Sequence, residues 1–324
     1  MPLFDVRSPA EFAHGHVPGA VSLPLFSDAE RAEVGTVYKQ QSPAKAVRLG
    51  LKFAGARMAD LVAEVDARAK RDTSPVEVYC WRGGQRSGSV AWLLRTAGYE
   101  VERWEGGYKA YRHRVLESWA QPRPYVVLAG LTGSGKTEVL RALHELGGPV
   151  LDLEGLAHHK GSAFGQIGEL PQPTNEQFEN DGALRLAELD GQPRIWIEDE
   201  SRSIGRIWLQ QSFFDRKKQA RVVLLERSLD ERIARLVEAY GLASRDELAE
   251  TFGRIAKRLG DQNARQAVEH VHAGNLADAA RIALHYYDRT YSESVAARHE
   301  TVTDRVDGTG KTDAEVAREL LSLA

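Results

Sequence analysis

Val78-Tyr79-Cys80-Trp81-Arg82-Gly83-Gly84-Gln85-Arg86-Ser87-Gly88-Ser89 is the stretch whose reading decides the fold of the N-terminal part of the chain. Val76 to Tyr79 reads as a short buried strand, and Ser87 to Ala97 as a helix with Val90, Leu93 and Leu94 on one apolar face. Cys80, the only cysteine of the 324 residues, therefore sits in a strand-to-helix turn. Gly83 and Gly84 let backbone N–H groups turn inward, and the helix N-terminus adds partial positive charge. Arg82 and Arg86 add two cations. Such a turn favours a reactive thiolate over a structural thiol. Trp81 to Ser87 would cradle a tetrahedral anion or a sulfur or selenium anion carried on Cys80.

Working outward, Leu3 to Val6 reads as a strand. Ser8-Pro9-Ala10-Glu11 then supplies an N-cap, a proline at the first helical position and a capping acid. His14-Gly15-His16-Val17-Pro18-Gly19-Ala20 is a turn before a second strand, Val21 to Leu23. Two histidines there lack a third ligand at metal-binding spacing. Ser27 to Leu51 is mostly helical and Ala56 to Arg71 a further helix. Val101 to Trp104 is a strand, closed by Glu105-Gly106-Gly107-Tyr108 and followed by a helix from Lys109 to Trp119. Strands alternating with helices predict a parallel sheet wrapped by helices.

After Gln121-Pro122-Arg123-Pro124, Tyr125 to Ala129 is a strand. Gly130-Leu131-Thr132-Gly133-Ser134-Gly135-Lys136-Thr137 matches the phosphate-loop pattern G-x-x-x-x-G-K-[ST] in full, and a helix follows from Glu138 to Leu146. Strand, glycine loop and helix are the context this motif requires. Backbone N–H groups would hold a di- or triphosphate, Lys136 would reach it, and Thr137 would face a Mg²⁺ ion. Val150 to Leu153 is a strand leading into His158, His159, Lys160, Gly161, Ser162 and Phe164, a basic, glycine-bearing run where such folds place a substrate. Arg194 to Ile197 ends in Glu198-Asp199-Glu200-Ser201-Arg202, where an acid would hold Mg²⁺ directly or through water. Arg221 to Leu225 is another strand. Leu229 to Tyr240, Arg245 to Leu259, Asn263 to Ala273 and Leu276 to Ala297 are helical. Tyr286, Tyr287 and Tyr291 interleave there with Arg281 and Arg289, a mixture that suits either RNA contact or a solvated face over a tyrosine-bearing core. Gly308-Thr309-Gly310-Lys311-Thr312 imitates the phosphate motif without its first glycine and reads as a turn into a last helix capped by Thr312 and Glu315.

The domain organisation expected is 1–119, a linker at 120–124, an α/β phosphate-loop domain at 125–228, a helical region at 229–299, and a final strand and helix at 300–324. Hydrophobic content of 42%, charged content of 27% and a net charge of −3 are ordinary for a globular protein and show no global basic field. One cysteine excludes internal disulfides and a cysteine-based zinc site. No apolar signal run opens the chain and no stretch could span a bilayer, so a cytoplasmic protein is expected.

The Asp5-Val6-Arg7 opening, the Gly15-to-Ala20 turn, the cysteine loop and Gly106-Gly107-Tyr108 together resemble a rhodanese-like domain, whose members carry sulfur as a cysteine persulfide. The spacing C-x5-R from Cys80 to Arg86 is also that of cysteine phosphatases. The order of the whole chain resembles the tRNA 2-selenouridine synthase family. The most specific pieces are Glu33-Val34-Gly35-Thr36, Tyr38-Lys39-Gln40-Gln41, Arg82 to Ser87, Glu105 to Ala110, Asp152 to Ala157, Lys160 to Gly165 and Glu198 to Arg202. A family cysteine expected before Tyr38 is Val37 here, which leaves Cys80 without an obvious resolving partner.

The resemblance implies action on tRNA carrying 2-thiouridine at the wobble position. Geranyl diphosphate would alkylate the sulfur; selenophosphate, made by an upstream enzyme, would then supply selenium in place of the S-geranyl group. The phosphate loop (Gly130, Gly133, Ser134, Gly135, Lys136, Thr137) would hold the leaving diphosphate without ATP. Cys80 would carry or relay selenium. Glu198, Asp199 and Glu200 would be the Mg²⁺ or catalytic acids, and His158, His159, Lys160, Ser162, Arg202, Tyr287 and Arg289 the substrate or tRNA contacts. Three other readings fit the same residues: a sulfurtransferase fused to a phosphate-loop kinase or ATPase, a cysteine phosphatase so fused, and a non-catalytic RNA-binding regulator.

Overall fold

The computed structural model describes residues 1–69, 75–296 and 302–323, the side chains of 290–296 excepted. The chain divides into two compact units, Met1–Ser118 with Glu179–Leu184, and Trp119–Phe178 with Arg185–Ala324.

The first unit runs β1 (Leu3–Asp5), α1 (Pro9–His14), β2 (Val21–Ser22), α2 (Asp28–Gln40), α3 (Pro43–Asp66), β3 (Val76–Tyr79), α4 (Gln85–Thr96), β4 (Val101–Arg103) and α5 (Gly107–Ala120, its last residues in the second unit). The four strands form a parallel sheet in the order β2-β1-β3-β4. Parallel strands need crossovers, and helices supply them. Phe4, Val6, Val78, Val90, Leu94, Leu61 and Val65 close the core between sheet and helices. α1 begins where its capping sequence places it, the Ser8 N–H donating to Glu11 at 3.1 Å.

One sequence expectation is corrected. Ser27 to Leu51 and Ala56 to Arg71 are not two helical stretches with a break between them: α2 ends at Gln40, and α3 runs unbroken through Gly50 and Gly55. The glycine at 50 serves packing, since a Cβ there would stand 3.2 Å from the Phe26 ring. α3 ends at Asp66, short of the expected end at Arg71, which itself lies outside the described residues.

The second unit runs β5 (Tyr125–Ala129), α6 (Lys136–Glu145), β6 (Val150–Leu151), α7 (Leu153–Ala157), α8 (Asn175–Glu188, its Glu179–Leu184 part counted with the first unit), β7 (Ile195–Glu198), β8 (Ser203–Ile204), β9 (Ile207–Trp208), α9 (Gln211–Gln219), β10 (Arg221–Glu226), α10 (Leu229–Tyr240), α11 (Arg245–Arg254), α12 (Ala256–Leu259), α13 (Asp261–Ala273), α14 (Leu276–Ala296), β11 (Val302–Asp307) and α15 (Asp313–Ser322). Five strands form a parallel sheet, β11-β10-β5-β7-β6. β5 is central and buried at all five residues, as a strand covered on both faces must be. Trp196, Leu128, Leu140, Val223 and Leu320 anchor its core. Thr312 caps α15 by accepting from Glu315 N–H at 3.3 Å, as the sequence predicts. Trp119 stacks on Phe178 and meets the edge of Phe213. The helices α11–α14 pack around a further core of Phe252, Ile255, Leu259, Ala267 and Val271. Sequence reading did not anticipate α7, the β8–β9 hairpin or α9, and it drew α11 and α12 as one helix. Its end of the last long helix, Ala297, lies outside the described residues. Among the described residues, no helix is long and apolar enough to cross a membrane.

Candidate functional site

In the first unit, β3 delivers Cys80 to a turn that α4 closes at Gln85. A second segment braces that turn. Tyr108 N–H donates to Cys80 O and Lys109 N–H to Trp81 O, both at 2.9 Å. Gly83 and Gly107 have φ of +64° and +57°, and a Cβ on Gly107 would overlap Cys80 O and Gly83 N. Two backbones meet here with no room for a side chain, which explains the glycines of both motifs.

The Cys80 side chain is buried, with Sγ 3.2 Å from Ser87 Oγ. Burial alone opposes a thiolate. The Ser87 hydroxyl, the backbone N–H groups of Ser87 and Arg82, and the charge of Arg86 outweigh it and pull the thiol below its ordinary value. Arg86 itself is held by Glu11, at 2.5 and 3.2 Å. Burial would raise Glu11, but Arg86 overrides it and brings the carboxyl down to about 2. Arg82, Gly84 and Gln85 are exposed around the turn, and Trp81 is exposed with its ring 5.9 Å from that of Tyr108. The arrangement would suit an anion held on or beside the sulfur.

In the second unit, parallel strands bring the ends of β5, β6, β7 and β10 to one edge of the sheet, where ligands of such folds bind. The phosphate loop spans β5 and α6 there, with Gly133 and Gly135 at φ of +80° and +84°. A Cβ on Gly135 would stand 2.6 Å from the Arg235 guanidinium. Its outward carbonyls are tied down from behind: Arg232 Nε donates to Thr132 O and Arg227 Nε to Ser134 O, each at 2.9 Å. Tying back these two carbonyls favours loop N–H groups turned the other way, which is the requirement for holding phosphate, while the Ser134 N–H donates within the loop to Leu131 O at 3.1 Å. Lys136 Nζ donates to Gly130 O at 2.8 Å.

A cavity of ≈ 800 Å³ opens from this loop. Lys136 and Thr137 line it, together with His159, Lys160, Ser162, Asp199, Glu200 and Tyr287. His158, Arg202 and Arg289 are not among its lining residues. His158 takes a left-handed turn, φ +49°, and its Nδ1 meets Pro171 O at 2.9 Å. Arg202 lies over the exposed Trp208 ring, and Arg289 is exposed. Burial lowers His159 and favours its neutral form; Nδ1 accepts from Gly161 N–H at 3.2 Å, so the ring proton is on Nε2.

The three acids after β7 have separate fates. Glu198 is wholly buried, accepts from Leu153 N–H at 2.9 Å, and is held well above the usual carboxylate range by burial and by Asp152. Asp199 is paired with Lys217 at 3.0 Å, both side chains almost fully buried. Glu200 approaches Glu154, the two flanking Gly161. Burial, then the Glu200 charge, pushes Glu154 up to about 8. Thr137 Oγ1 donates to Glu154 at 2.6 Å. A hydroxyl and two crowded carboxylates beside a phosphate loop fit a divalent cation completed by phosphate oxygens, although no group of three or more His, Cys, Asp or Glu that could hold a metal occurs among the described residues.

Sequence reasoning missed Glu154 as a site acid, and also Arg235, Tyr240 and the apolar wall of the cavity. The position of Glu154 just past the end of β6, at the edge that holds the phosphate loop, was a usable signal for it.

The comparisons with known proteins cover both units. The family model described as the tRNA 2-selenouridine synthase AAA domain matches residues 123–319, and the rhodanese-like domain model matches residues 1–114. A tRNA 2-selenouridine synthase of Bdellovibrio bacteriovorus is 37% identical, over 93% of this chain and 91% of that protein. One from Shewanella halifaxensis is 38% identical, over 81% of this chain and 76% of that protein. One from Nitrosomonas europaea is 37% identical, over 75% of this chain and 64% of that protein.

Proposed function

Since the chain belongs to the tRNA 2-selenouridine synthase family, we propose that it converts 2-thiouridine at the tRNA wobble position to 2-selenouridine through S-geranyl-2-thiouridine. Geranyl diphosphate and selenophosphate are the co-substrates, and an upstream enzyme supplies the latter. The observation that carries this reading is the cavity of the second unit. It joins a phosphate loop to side chains such as Leu236, Leu248, Phe252, Val271 and Leu284, as a diphosphate on a hydrocarbon requires.

In the first step the thiocarbonyl sulfur attacks C1 of the geranyl group. The C1–S bond forms, the C1–O bond breaks, and diphosphate leaves with the electron pair as the base loses its N3 proton. The loop N–H groups and Lys136 stabilise the charge that develops on the leaving oxygens. Thr137, Glu154 and Glu200 would hold a Mg²⁺ ion, which would neutralise part of that charge. In the second step the selenium of selenophosphate bonds to C2 as the C2–S bond breaks and geranylthiol departs, since alkylation has turned a poor leaving group into a good one. The Se–P bond is cleaved by water to give phosphate, and N3 regains its proton. Cys80 serves this step, with Arg86 and Ser87 favouring an anion on or beside its sulfur.

The test is nucleoside mass spectrometry of tRNA bearing 2-thiouridine. Incubation with geranyl diphosphate should give S-geranyl-2-thiouridine, and selenophosphate should then give 2-selenouridine. ATP turnover with no change in the nucleoside would support the kinase or ATPase reading instead.

A further inference from the structure

The apolar half of the cavity has one long wall, the face of α14 that carries Leu276, Ala279, Ala280, Ala283 and Tyr287. These positions fall at i, i+3, i+4, i+7 and i+11 of the helix, so they form a single stripe. The Tyr287 end of the stripe is tied to the phosphate loop. Asp288 pairs with Arg232 at 2.6 Å, and Arg232 donates to Thr132 O of that loop. Tyr287 is hydrogen-bonded to the Ala163 backbone. Leu276 lies eleven residues earlier, about 16 Å along the helix axis. The wall therefore runs away from the phosphate loop, with Ala283 about one turn from Tyr287 and Ala279 about one turn further.

Leu276, Ala279, Ala280, Ala283 and Leu284 present no polar side-chain atom to the cavity. A nucleobase or ribose lying against them would lose water without gaining partners on that wall, a cost that a hydrocarbon does not incur. Alanine is the smallest side chain that keeps the helix regular. Ala279 and Ala283 border the cavity from within the helical core, so a larger side chain at either would project into both. One helical turn, about 5.4 Å, is close to the reach of one extended isoprene unit.

Resting on the function proposed above, we propose that this wall of α14 seats the isoprenyl tail of the diphosphate substrate and measures its length, with Ala283 and Ala279 as successive marks and Leu276 as the distal stop. Chain length is thus read by shape, from how many isoprene units fit along the stripe between the phosphate loop and Leu276. The bulk of the side chain at each mark sets which allylic diphosphate is preferred.

The experiment is calorimetry on the full chain with dimethylallyl, geranyl and farnesyl diphosphate, and with inorganic pyrophosphate as the probe of the phosphate loop alone. Ala283→Trp should weaken geranyl diphosphate by about tenfold or more relative to dimethylallyl diphosphate, the scale on which pockets discriminate hydrocarbon length. Ala279→Trp should act one unit further out, weakening farnesyl relative to geranyl diphosphate. Leu276→Ala should shift preference toward farnesyl diphosphate, and this variant decides the matter if the tryptophan variants do not fold. An unchanged order of donor preference in Ala283→Trp and Leu276→Ala, with geranyl diphosphate still bound and tRNA still geranylated, would overturn the ruler and leave the function standing. A wild-type chain that binds ATP and pyrophosphate but shows no preference for any isoprenyl diphosphate over pyrophosphate would overturn both.

Discussion

The Thr137 hydroxyl donates to the Glu154 carboxyl group at 2.6 Å. The side chain that a phosphate loop offers to its cation is thus already engaged by an acid from the segment after β6, while Asp199, after β7, is committed to Lys217. If Glu154 helps hold a cation, Mg²⁺ should strengthen pyrophosphate binding to the wild type. Glu154→Gln should lose about tenfold of that gain, the usual cost of disturbing a metal environment. Calorimetry with and without Mg²⁺ checks it, and an undiminished gain in Glu154→Gln would contradict the assignment.

The Lys217–Asp199 pair is buried on both sides, at 2% and 3% exposure. Removing one partner strands a charge away from water. Lys217→Ala should cost about 3 kcal/mol in urea unfolding. A loss below about 1 kcal/mol, the scale of an exposed pair, would show that water reaches Asp199.

The thiol of Cys80 is pulled below its ordinary value despite its burial. A group so shifted is deprotonated at lower pH than a free thiol. The rate of iodoacetamide labelling should therefore reach its half-maximum below about pH 8.5. Ser87→Ala removes a hydroxyl that favours the thiolate, so its midpoint should move up. A wild-type midpoint at or above the free-thiol value would contradict the account of the loop.

A net charge of −3 gives the chain no overall attraction for RNA. Its affinity for tRNA should instead come from local contacts to phosphates by groups such as the exposed Arg202 and Arg289. Log affinity should then fall linearly with log salt, because each contact releases counterions. A flat dependence in filter binding would place the source of affinity elsewhere.

Both parallel sheets were legible because their strands are short apolar runs and their turns carry recognisable glycine motifs. Cys80, Lys136 and Thr137 could be placed from sequence for the same reason. Other features were hidden by forces that act at a distance along the chain. Gly50 looks like a helix breaker until Phe26 is seen lying against it. The β8–β9 hairpin has strands of two residues, too short for alternation to register. Lys217 reads as one base among several in a polar helix, and only folding shows that it closes onto Asp199. The apolar wall of α14 reads as an ordinary buried face, since nothing in periodicity separates a side chain packed against protein from one that borders a cavity.

The function proposed above places the two chemical steps in two different loops. The nucleophile of the first step is the sulfur of the base, so alkylation needs no protein thiol. On that proposal the second step would draw on Cys80 and would not need the phosphate loop. The most direct measurement is nucleoside mass spectrometry on tRNA treated with Cys80→Ser and with Lys136→Ala. Cys80→Ser should accumulate S-geranyl-2-thiouridine and make no 2-selenouridine. Lys136→Ala should be slow to geranylate, yet should convert tRNA that is already geranylated. If Cys80→Ser makes 2-selenouridine at the wild-type rate, selenophosphate reacts directly with the alkylated base, and the division of labour proposed here is contradicted.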